Sequence, residues 1–268
     1  MSAIIPEAFT TSHTSPVLRV PFNFIGYPEV VGALNHWRAS NESGYIVLAN
    51  PHSVMHCRRD REFRAAVFGG RLILPDGIGI ILAARILGYP DCGRVTGPNL
   101  MIEVCDRGRS LGFRHFFYGG APGVASELAH RLQGRFPEMT VAGHYSPPFH
   151  PLVPKAEAEV VRMINEAEPD IVWVGLGTGK QEKWMAAHAE CVRATALVGV
   201  GAAFDFHSAN LPWAPAWIRA VGLEWAYRLM REPRRLWRRN LDSPLFLASV
   251  LRQRLGTKRP GHGVRVSP

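Results

Sequence analysis

Short apolar runs alternate along this chain with segments whose apolar residues recur at helical spacing. The apolar runs predict six strands, at Tyr45–Ala49, Leu72–Leu74, His115–Tyr118, Thr140–Ala142, Ile171–Gly175 and Ala196–Val200. The segments between them predict helices at His52–Arg64, Gly77–Leu87, Pro98–Ser110, Pro122–Arg135, Pro154–Glu166 and Lys180–Ala189. Strands that are buried on both sides read as continuous apolar runs. The alternation therefore predicts an α/β fold, a Rossmann-like parallel sheet with helices on both faces.

The pattern divides the chain into three parts. A length of 268 residues has room for one large domain with an appendage. Residues 1–40 are weakly patterned and are expected to form a loosely docked N-terminal arm. Residues 41–211 hold the alternation and are expected to form the α/β domain. From residue 212 to residue 268 the alternation stops, and a basic, aromatic-rich helical appendage is expected.

The appendage carries nearly all of the net charge of the chain. Between residues 214 and 259, eleven Lys or Arg stand against three acids, which gives +8 of the total of +9. The aromatic residues interleaved with these charges are Trp213, Trp217, Trp225, Tyr227 and Trp237. Guanidinium groups suit phosphates and aromatic rings suit a bilayer interface, so we expect the appendage to contact an anionic membrane surface. The alternatives are a solvated cationic tail and a nucleic-acid-binding module, although no nucleic-acid recognition motif is present.

The sequence predicts a cytoplasmic protein that is peripheral on the inner face of the cell membrane. The N-terminus lacks the basic and apolar regions of a secretory signal. The longest apolar run, Gly77–Leu87, is far shorter than the ~20 residues that span a bilayer. The four cysteines are scattered without a CxxC pair, which is typical of reduced thiols and not of a disulfide framework or a zinc site.

Three glycine-rich turns follow predicted strands and suggest a nucleotide site. They contain Gly120, Gly177 and Gly201. Ligands of open parallel sheets bind beyond the carboxyl ends of the strands, where glycine lets the backbone approach a phosphate and helix N-termini supply amide donors. Gly120 and Gly177 are therefore candidate ligand contacts. Neither a Walker A motif nor GxGxxG is present, so ATP hydrolysis and nicotinamide chemistry are not indicated, and we expect no cofactor.

Polar residues at the ends of predicted strands are the candidates for chemistry. Asp76 follows an apolar strand and precedes a helix that starts with glycine, which is a suitable position for a general base. The structural alternative is that Asp76 only caps that helix. Asn50 and Asp205 end two further strands, and for each of them a structural role competes with substrate contact.

No metal site is expected. His52 and His56 are four residues apart with Asp60 one turn further on, but the chain has no HExxH motif and no clustered third ligand. It also lacks the Asp-x-Asp pair with which many sugar-nucleotide transferases hold a divalent ion on a diphosphate. Arginines and helix termini would then have to neutralise such a charge. Four arginines recur at helical spacing in the appendage, namely Arg228, Arg231, Arg235 and Arg238, although Pro233 interrupts that helix.

Six segments of the chain resemble the WecG/TagA/CpsF family of glycosyltransferases. They are LPDGIGIILAARILG, RVTGPNLM, FFYGGAPGV, PDIVWVGLGTGKQEKW, VGVGAAFDF and GLEWAYRLMREPRRLWRR, spread over Tyr45–Leu241. The resemblance implies an inverting, metal-independent enzyme. Such an enzyme moves a sugar from a UDP-sugar to a polyprenyl-diphosphate-linked saccharide in cell-surface polysaccharide synthesis. A catalytically silent UDP-sugar-binding protein and a basic nucleic-acid-binding module stay as alternatives.

The resemblance also implies roles for single residues. Asp76 matches the proposed general base, and Arg94 matches an arginine that contacts the diphosphate. Further matches are expected to contact substrate: Asn50 near the sugar, Gln181 and Glu182 at the cleft, and Arg228, Arg235 and Arg238 over UDP.

Several positions depart from the family pattern, among them Trp213, which replaces an arginine, and the segment His207–Asn210. Leu48 replaces a threonine, Asn99 replaces an aspartate but is kept as a candidate substrate contact, and Gly179 replaces a proline. The effect of these departures is open, as are the donated sugar, the acceptor glycan and assembly into a homo-oligomer.

Overall fold

A six-stranded parallel sheet forms the centre of the structure, a computed structural model that describes residues 14–89, 92–148, 153–234, 237 and 241–256. The strands are β1 (Thr14–Val17), β2 (Val20–Asn23), β3 (Gly44–Ala49), β4 (Leu72–Pro75), β5 (Arg114–Gly119), β6 (Thr140–Tyr145), β7 (Ile171–Gly175) and β8 (Ala196–Gly199). The parallel sheet has the order β4-β3-β8-β7-β5-β6, and β1 and β2 pair separately as an antiparallel hairpin. The predicted α/β class is confirmed.

Helices follow the strands in the predicted alternation. They are α1 (Tyr27–Ala39), α2 (Pro51–Cys57), α3 (Arg61–Phe68), α4 (Ile78–Leu87), α5 (Gly97–Arg107), α6 (Val124–Arg135), α7 (Pro154–Glu166), α8 (Lys180–His188), α9 (Ala203–His207), α10 (Ala216–Ala220), α11 (Glu224–Arg231) and α12 (Asp242–Gly256). One prediction is wrong: the single helix expected at His52–Arg64 is two helices. Asp60 accepts a hydrogen bond from the backbone N–H of Phe63 at 2.9 Å, so this residue caps and starts α3.

Both faces of the sheet are covered, as the continuous apolar runs predict. Trp173 of β7 packs on one face, in a cluster with buried residues of α1, α5, α6 and α9. Its neighbours Val172 and Val174 point to the other face, where α2, α3, α4, α7, α8 and α12 contribute buried residues. Successive side chains of a strand point to opposite faces, so one strand serves both clusters. The predicted two-sided cover of helices is confirmed.

The N-terminal part differs from the loosely docked arm expected for residues 1–40. Over the described residues, β1, β2 and α1 pack into the core, and Trp37 of α1 is buried. Asn23 accepts a hydrogen bond from the backbone N–H of Ile73 at 2.8 Å, which covers the edge strand β4. The hairpin gave no sequence signal because its two-residue turn places Leu18 and Arg19 at positive φ, where Asn-Gly is usual. Residues 1–13 lie outside the described residues.

The C-terminal part returns to the α/β domain. In α12, Phe246 and Val250 are buried in the cluster that includes α2 and α4. The preceding helices α10 and α11 carry several exposed apolar side chains, among them Trp217 and Met230. No helix in the described parts of the chain is long and apolar enough to cross a bilayer. The domain boundary near residue 212 stays a prediction.

Candidate active site

The carboxyl ends of the central strands open into one cavity of about 1380 Å³. Helices α2, α4 and α8 begin here because a parallel α/β unit places the N-terminus of the helix that follows a strand next to the strand end, and α5, which follows α4, also begins here. Asn50, Gly77, Gly97 and Lys180, at the starts of α2, α4, α5 and α8, all line the cavity. Helix N-termini favour negative charge. The volume exceeds the roughly 300–1,000 Å³ of a typical small-molecule site, so the cavity has room for more than one small ligand.

Asp76 lies at the end of β4 and lines this cavity. The N-cap of α4 is Gly77, with φ of 95°, so the alternative in which Asp76 caps the helix is not what the structure shows. The Asp76 carboxylate instead accepts a hydrogen bond from the side chain of Asn50. Burial and the nearby Glu224 carboxylate raise the pKa of Asp76 to about 6, and Arg228, Arg94 and Asn50 act in the opposite direction.

Asn50 has the structural role of the two that its sequence position left open, because it caps α2, and it also lines the cavity. Its side-chain oxygen accepts hydrogen bonds from the backbone N–H of Ser53 at 3.1 Å and from the Ser53 hydroxyl at 3.3 Å. These bonds cap α2 and fix the orientation of the amide. The amide nitrogen is then the group that donates to Asp76. The capping interaction therefore aims the donor at the carboxylate.

Arg94 connects the cavity to the C-terminal helices. Its Nη2 donates to the backbone oxygen of Arg219 at 3.1 Å and lies 3.6 Å from Oε2 of Glu224. The other carboxylate oxygen of Glu224 accepts a hydrogen bond from Trp213 Nε1 at 3.3 Å. Sequence reasoning did not assign Glu224 to the site, and it named Trp213 only as an aromatic residue of the appendage and as a departure from the family pattern. A signal existed, because Glu224 is an acid in a basic segment, four residues before Arg228, and such pairs meet on one helix face.

Arg228 is the one described residue among the three arginines that were predicted to contact UDP. It lines the cavity, and its guanidinium lies over the Phe206 ring, 5.4 Å from the ring centre. Its Nε is buried without a hydrogen-bond partner among the described residues. Arg235 and Arg238 fall outside the described residues, so their predicted contact with UDP stays a prediction.

The structure brings most other predicted contacts to the cavity wall. The predicted residues that line it, besides those above, are Gly120, Gly177, Gln181 and Asp205. Asp205 belongs to α9 and not to a strand end, and it accepts a hydrogen bond from Asn210 at 2.9 Å. Asn99, in α5, is not among the lining residues.

Glu182 is placed differently from the expected cleft contact. It is only 1% exposed and is not among the residues that line the cavity. Its carboxylate accepts hydrogen bonds from the backbone N–H of Gly179 at 2.6 Å and from Gln181 Nε2 at 3.1 Å. The start of α8 thus uses Glu182 to satisfy a backbone donor and to hold Gln181. Gln181, and not Glu182, therefore lines the cavity.

The histidines of α2 make contacts within the protein. His52 Nδ1 lies 2.7 Å from Oδ2 of Asp242 in α12. His56 stacks on Phe63 and lies 3.6 Å from Asp60. In the part of the chain that the structure describes, no three His, Cys, Asp or Glu side chains form a group that could hold a metal ion.

Comparison with known proteins shows the family of the chain. The sequence profile of the Glycosyl transferase WecG/TagA/CpsF family matches residues 15–260. An N-acetylglucosaminyldiphosphoundecaprenol N-acetyl-beta-D-mannosaminyltransferase of Bacillus spizizenii is 33% identical over 82% of this chain and 83% of its own length. Proteins of the same name from Bacillus subtilis and Staphylococcus aureus are 28% and 26% identical, over 88% and 82% of this chain and 88% and 84% of their own lengths.

Proposed function

The chain belongs to the WecG/TagA/CpsF family of glycosyl transferases, and we propose that it transfers a sugar from a UDP-sugar to a saccharide carried on a polyprenyl diphosphate. The observation that carries the proposal is the environment of Asp76. A half-buried carboxylate with a raised pKa accepts a hydrogen bond from Asn50 and lies near Arg94 and Arg228. This combination suits the removal of a proton next to a negatively charged leaving group.

The proposed reaction is a direct displacement. The oxygen of an acceptor hydroxyl forms a bond to the anomeric carbon of the donor sugar as the bond from that carbon to the diphosphate breaks. Asp76 takes the hydroxyl proton, and UDP leaves with the bonding electrons, so the anomeric carbon is inverted. A carboxyl group with a pKa of about 6 is largely ionised at pH 7 and can accept the proton. General-base action of this kind contributes roughly 10²–10⁴-fold to the rate.

In this proposal the protein itself stabilises the charge on the departing UDP. Arg94 and Arg228 supply positive charge at the cavity, and the N-termini of α2, α4, α5 and α8 supply amide donors. We propose that no metal ion takes part. We expect the same turnover in the presence of a chelator and in the presence of added manganese. A requirement for manganese would contradict this part of the proposal.

The donor sugar is the finer part of the proposal. The names of the similar proteins give N-acetylmannosamine as the transferred sugar and an N-acetylglucosaminyl group on diphosphoundecaprenol as the acceptor. We propose N-acetylmannosamine as the first donor to test here, with glucose and uronic acid donors as competitors. Leu48 lines the cavity where the family pattern has threonine, so the side chain at this position offers no hydroxyl group to a bound sugar.

We further propose that the protein works at the cytoplasmic face of the membrane through α10, α11 and α12. Exposed apolar side chains are concentrated on these helices, including Trp217 (70% exposed), Met230 (73%) and Leu255 (87%). The same segment holds most of the net positive charge. Aromatic rings and arginines together favour an anionic lipid surface.

The test of the function is an assay of UDP release with a synthetic prenyl-diphosphate N-acetylglucosamine acceptor. We expect release from UDP-N-acetylmannosamine that depends on this acceptor. UDP-sugar binding without transfer would instead indicate a silent binding protein. Retention of RNA or DNA in a gel shift, without binding of UDP, would indicate a nucleic-acid-binding module.

A further inference from the structure

Glu224 is an acid placed among the arginines of the cavity. It lies at the first turn of α11, it is half-buried and it lines the cavity. One carboxylate oxygen lies 3.6 Å from Arg94, and the other accepts the indole N–H of Trp213 at 3.3 Å. The contact with Arg94 is longer than a direct charge-assisted hydrogen bond of about 2.7–2.9 Å. The charges of Arg94 and Glu224 therefore attract each other, but the two side chains form no direct hydrogen bond.

The arginines that line the cavity near Glu224 come from two elements. Arg94 precedes α5, and Arg228 lies one turn after Glu224 on α11. The Nε atom of Arg228 is buried without a hydrogen-bond partner among the described residues. Arg228 thus has a donor that the described acceptors do not satisfy. An anion with several oxygens would supply the missing acceptor.

Asp76 is the other acid that faces these arginines. The groups that face it are Glu224 from α11, Arg94 from the segment before α5, Arg228 from α11 and the amide of Asn50 from the start of α2. His52 and Asp205 also line the cavity. Glu224 therefore acts on two partners at once, because it attracts Arg94 and repels the ionised form of Asp76.

We propose that Glu224 is a positioning residue whose carboxylate holds Arg94 at the cavity in the absence of substrate and gives this arginine up to the diphosphate of the sugar nucleotide. The inference rests on the proposed function, since it requires Arg94 to bind the diphosphate. Two anions that compete for one guanidinium repel each other. Glu224 accordingly weakens the binding of UDP and the UDP-sugar, and it favours release of UDP after transfer. It also raises the proton affinity of Asp76.

The substitution Glu224→Gln separates these effects from a purely structural role. It keeps the size of the side chain and the acceptor for Trp213 but removes the negative charge. We expect the Kd for UDP, measured by calorimetry, to fall about 5- to 10-fold, the order expected for one like charge removed a few ångströms from a phosphate. We also expect KM for the UDP-sugar to fall, and the acidic limb of kcat/KM to move to lower pH. A substitution that only damaged the structure would weaken binding instead.

Glu166→Gln is the matched control, because this exposed glutamate is paired with Arg162 at 2.6 Å on α7, and we expect it to leave UDP affinity unchanged. Glu224→Asp keeps the charge but shortens the side chain, so its Kd should lie between those of the wild type and Glu224→Gln.

If Glu224→Gln fails to fold, the Kd of Glu224→Asp for UDP still tests the inference. Unchanged or weaker UDP binding in the folded variants overturns the inference and leaves the function standing. Failure of the wild type to bind UDP at all overturns the function.

Discussion

The imidazole Nδ1 of His52 lies 2.7 Å from the carboxylate of Asp242, and this contact joins the start of α2 to the start of α12. The second oxygen of Asp242 accepts a hydrogen bond from Arg59 at 2.6 Å, and the aspartate is only 4% exposed. The cap of α2 is Asn50, which donates to Asp76. The buried carboxylate of Asp242 thus connects α12 to α2, and the cap of α2, Asn50, orients the proposed base Asp76.

Asp242→Asn should lower the stability of the protein. The substitution removes the charge that His52 and Arg59 share, and we expect the free energy of unfolding to fall by about 1–3 kcal/mol. The two partners hold the pKa of the Asp242 carboxyl below its usual range. Its contribution is therefore complete above about pH 4, the unfolded pKa, and is lost as the pH falls through the lowered folded value. Urea unfolding should show that the wild type is more stable than Asp242→Asn at pH 7 and that this difference in free energy of unfolding disappears in acid.

Asp76→Asn should leave the fold intact and cut turnover by roughly 10²–10⁴-fold, because the amide cannot accept the acceptor proton. UDP release with the lipid-linked acceptor measures the change, and thermal unfolding checks the fold. A folded Asp76→Asn enzyme with near-normal turnover would remove Asp76 from the role of base.

The pH dependence of the reaction should follow the ionisation of Asp76. Its pKa is raised to about 6, so kcat/KM should be constant near neutral pH and fall as the pH drops through about 6. Only the ionised carboxylate accepts a proton, which fixes the direction of the change. A profile that stays flat down to pH 4.5 would show that a different group is the base.

Association with lipid should depend on the exposed apolar residues of α10 and α11. We expect the double substitution Trp217→Ser and Met230→Ser to weaken binding to anionic vesicles at least about tenfold, since each large apolar side chain contributes roughly 1.5–3 kcal/mol when buried. Met163→Ser, on α7, is the control, because this methionine is exposed (38%) but lies outside these helices. Vesicle flotation provides the measurement.

Point substitutions are preferable here to removal of the whole C-terminal segment. Truncation before residue 212 would also delete α12, and with it the buried Phe246 and Val250. Loss of lipid binding in such a truncated protein could then reflect a damaged core. Equal vesicle binding by the Trp217/Met230 variant and the wild type would contradict the proposed membrane surface.

Local pattern predicted the sheet well, because each central strand is an apolar run that is buried on both faces. It also pointed to Asp76, which stands where an apolar run meets a glycine. Local pattern could not predict contacts between segments that are distant in the sequence. Nothing near Glu182 indicates that its carboxylate binds the start of its own helix, and nothing near Glu224 indicates that α11 lies against Arg94. The hairpin was missed because Leu18 and Arg19 occupy turn positions that sequence rules assign to glycine and asparagine.

The return of α12 to the domain has a geometric consequence. The described helices α10 and α11 lie in the chain between two buried residues, Ala214 and Asp242. Both of these residues belong to parts of the chain that pack on the α/β domain. A lipid surface that binds α10 and α11, as proposed, would then meet the protein in a restricted orientation. That orientation would set the distance from the lipid surface to Asp76, which a lipid-borne acceptor would have to span.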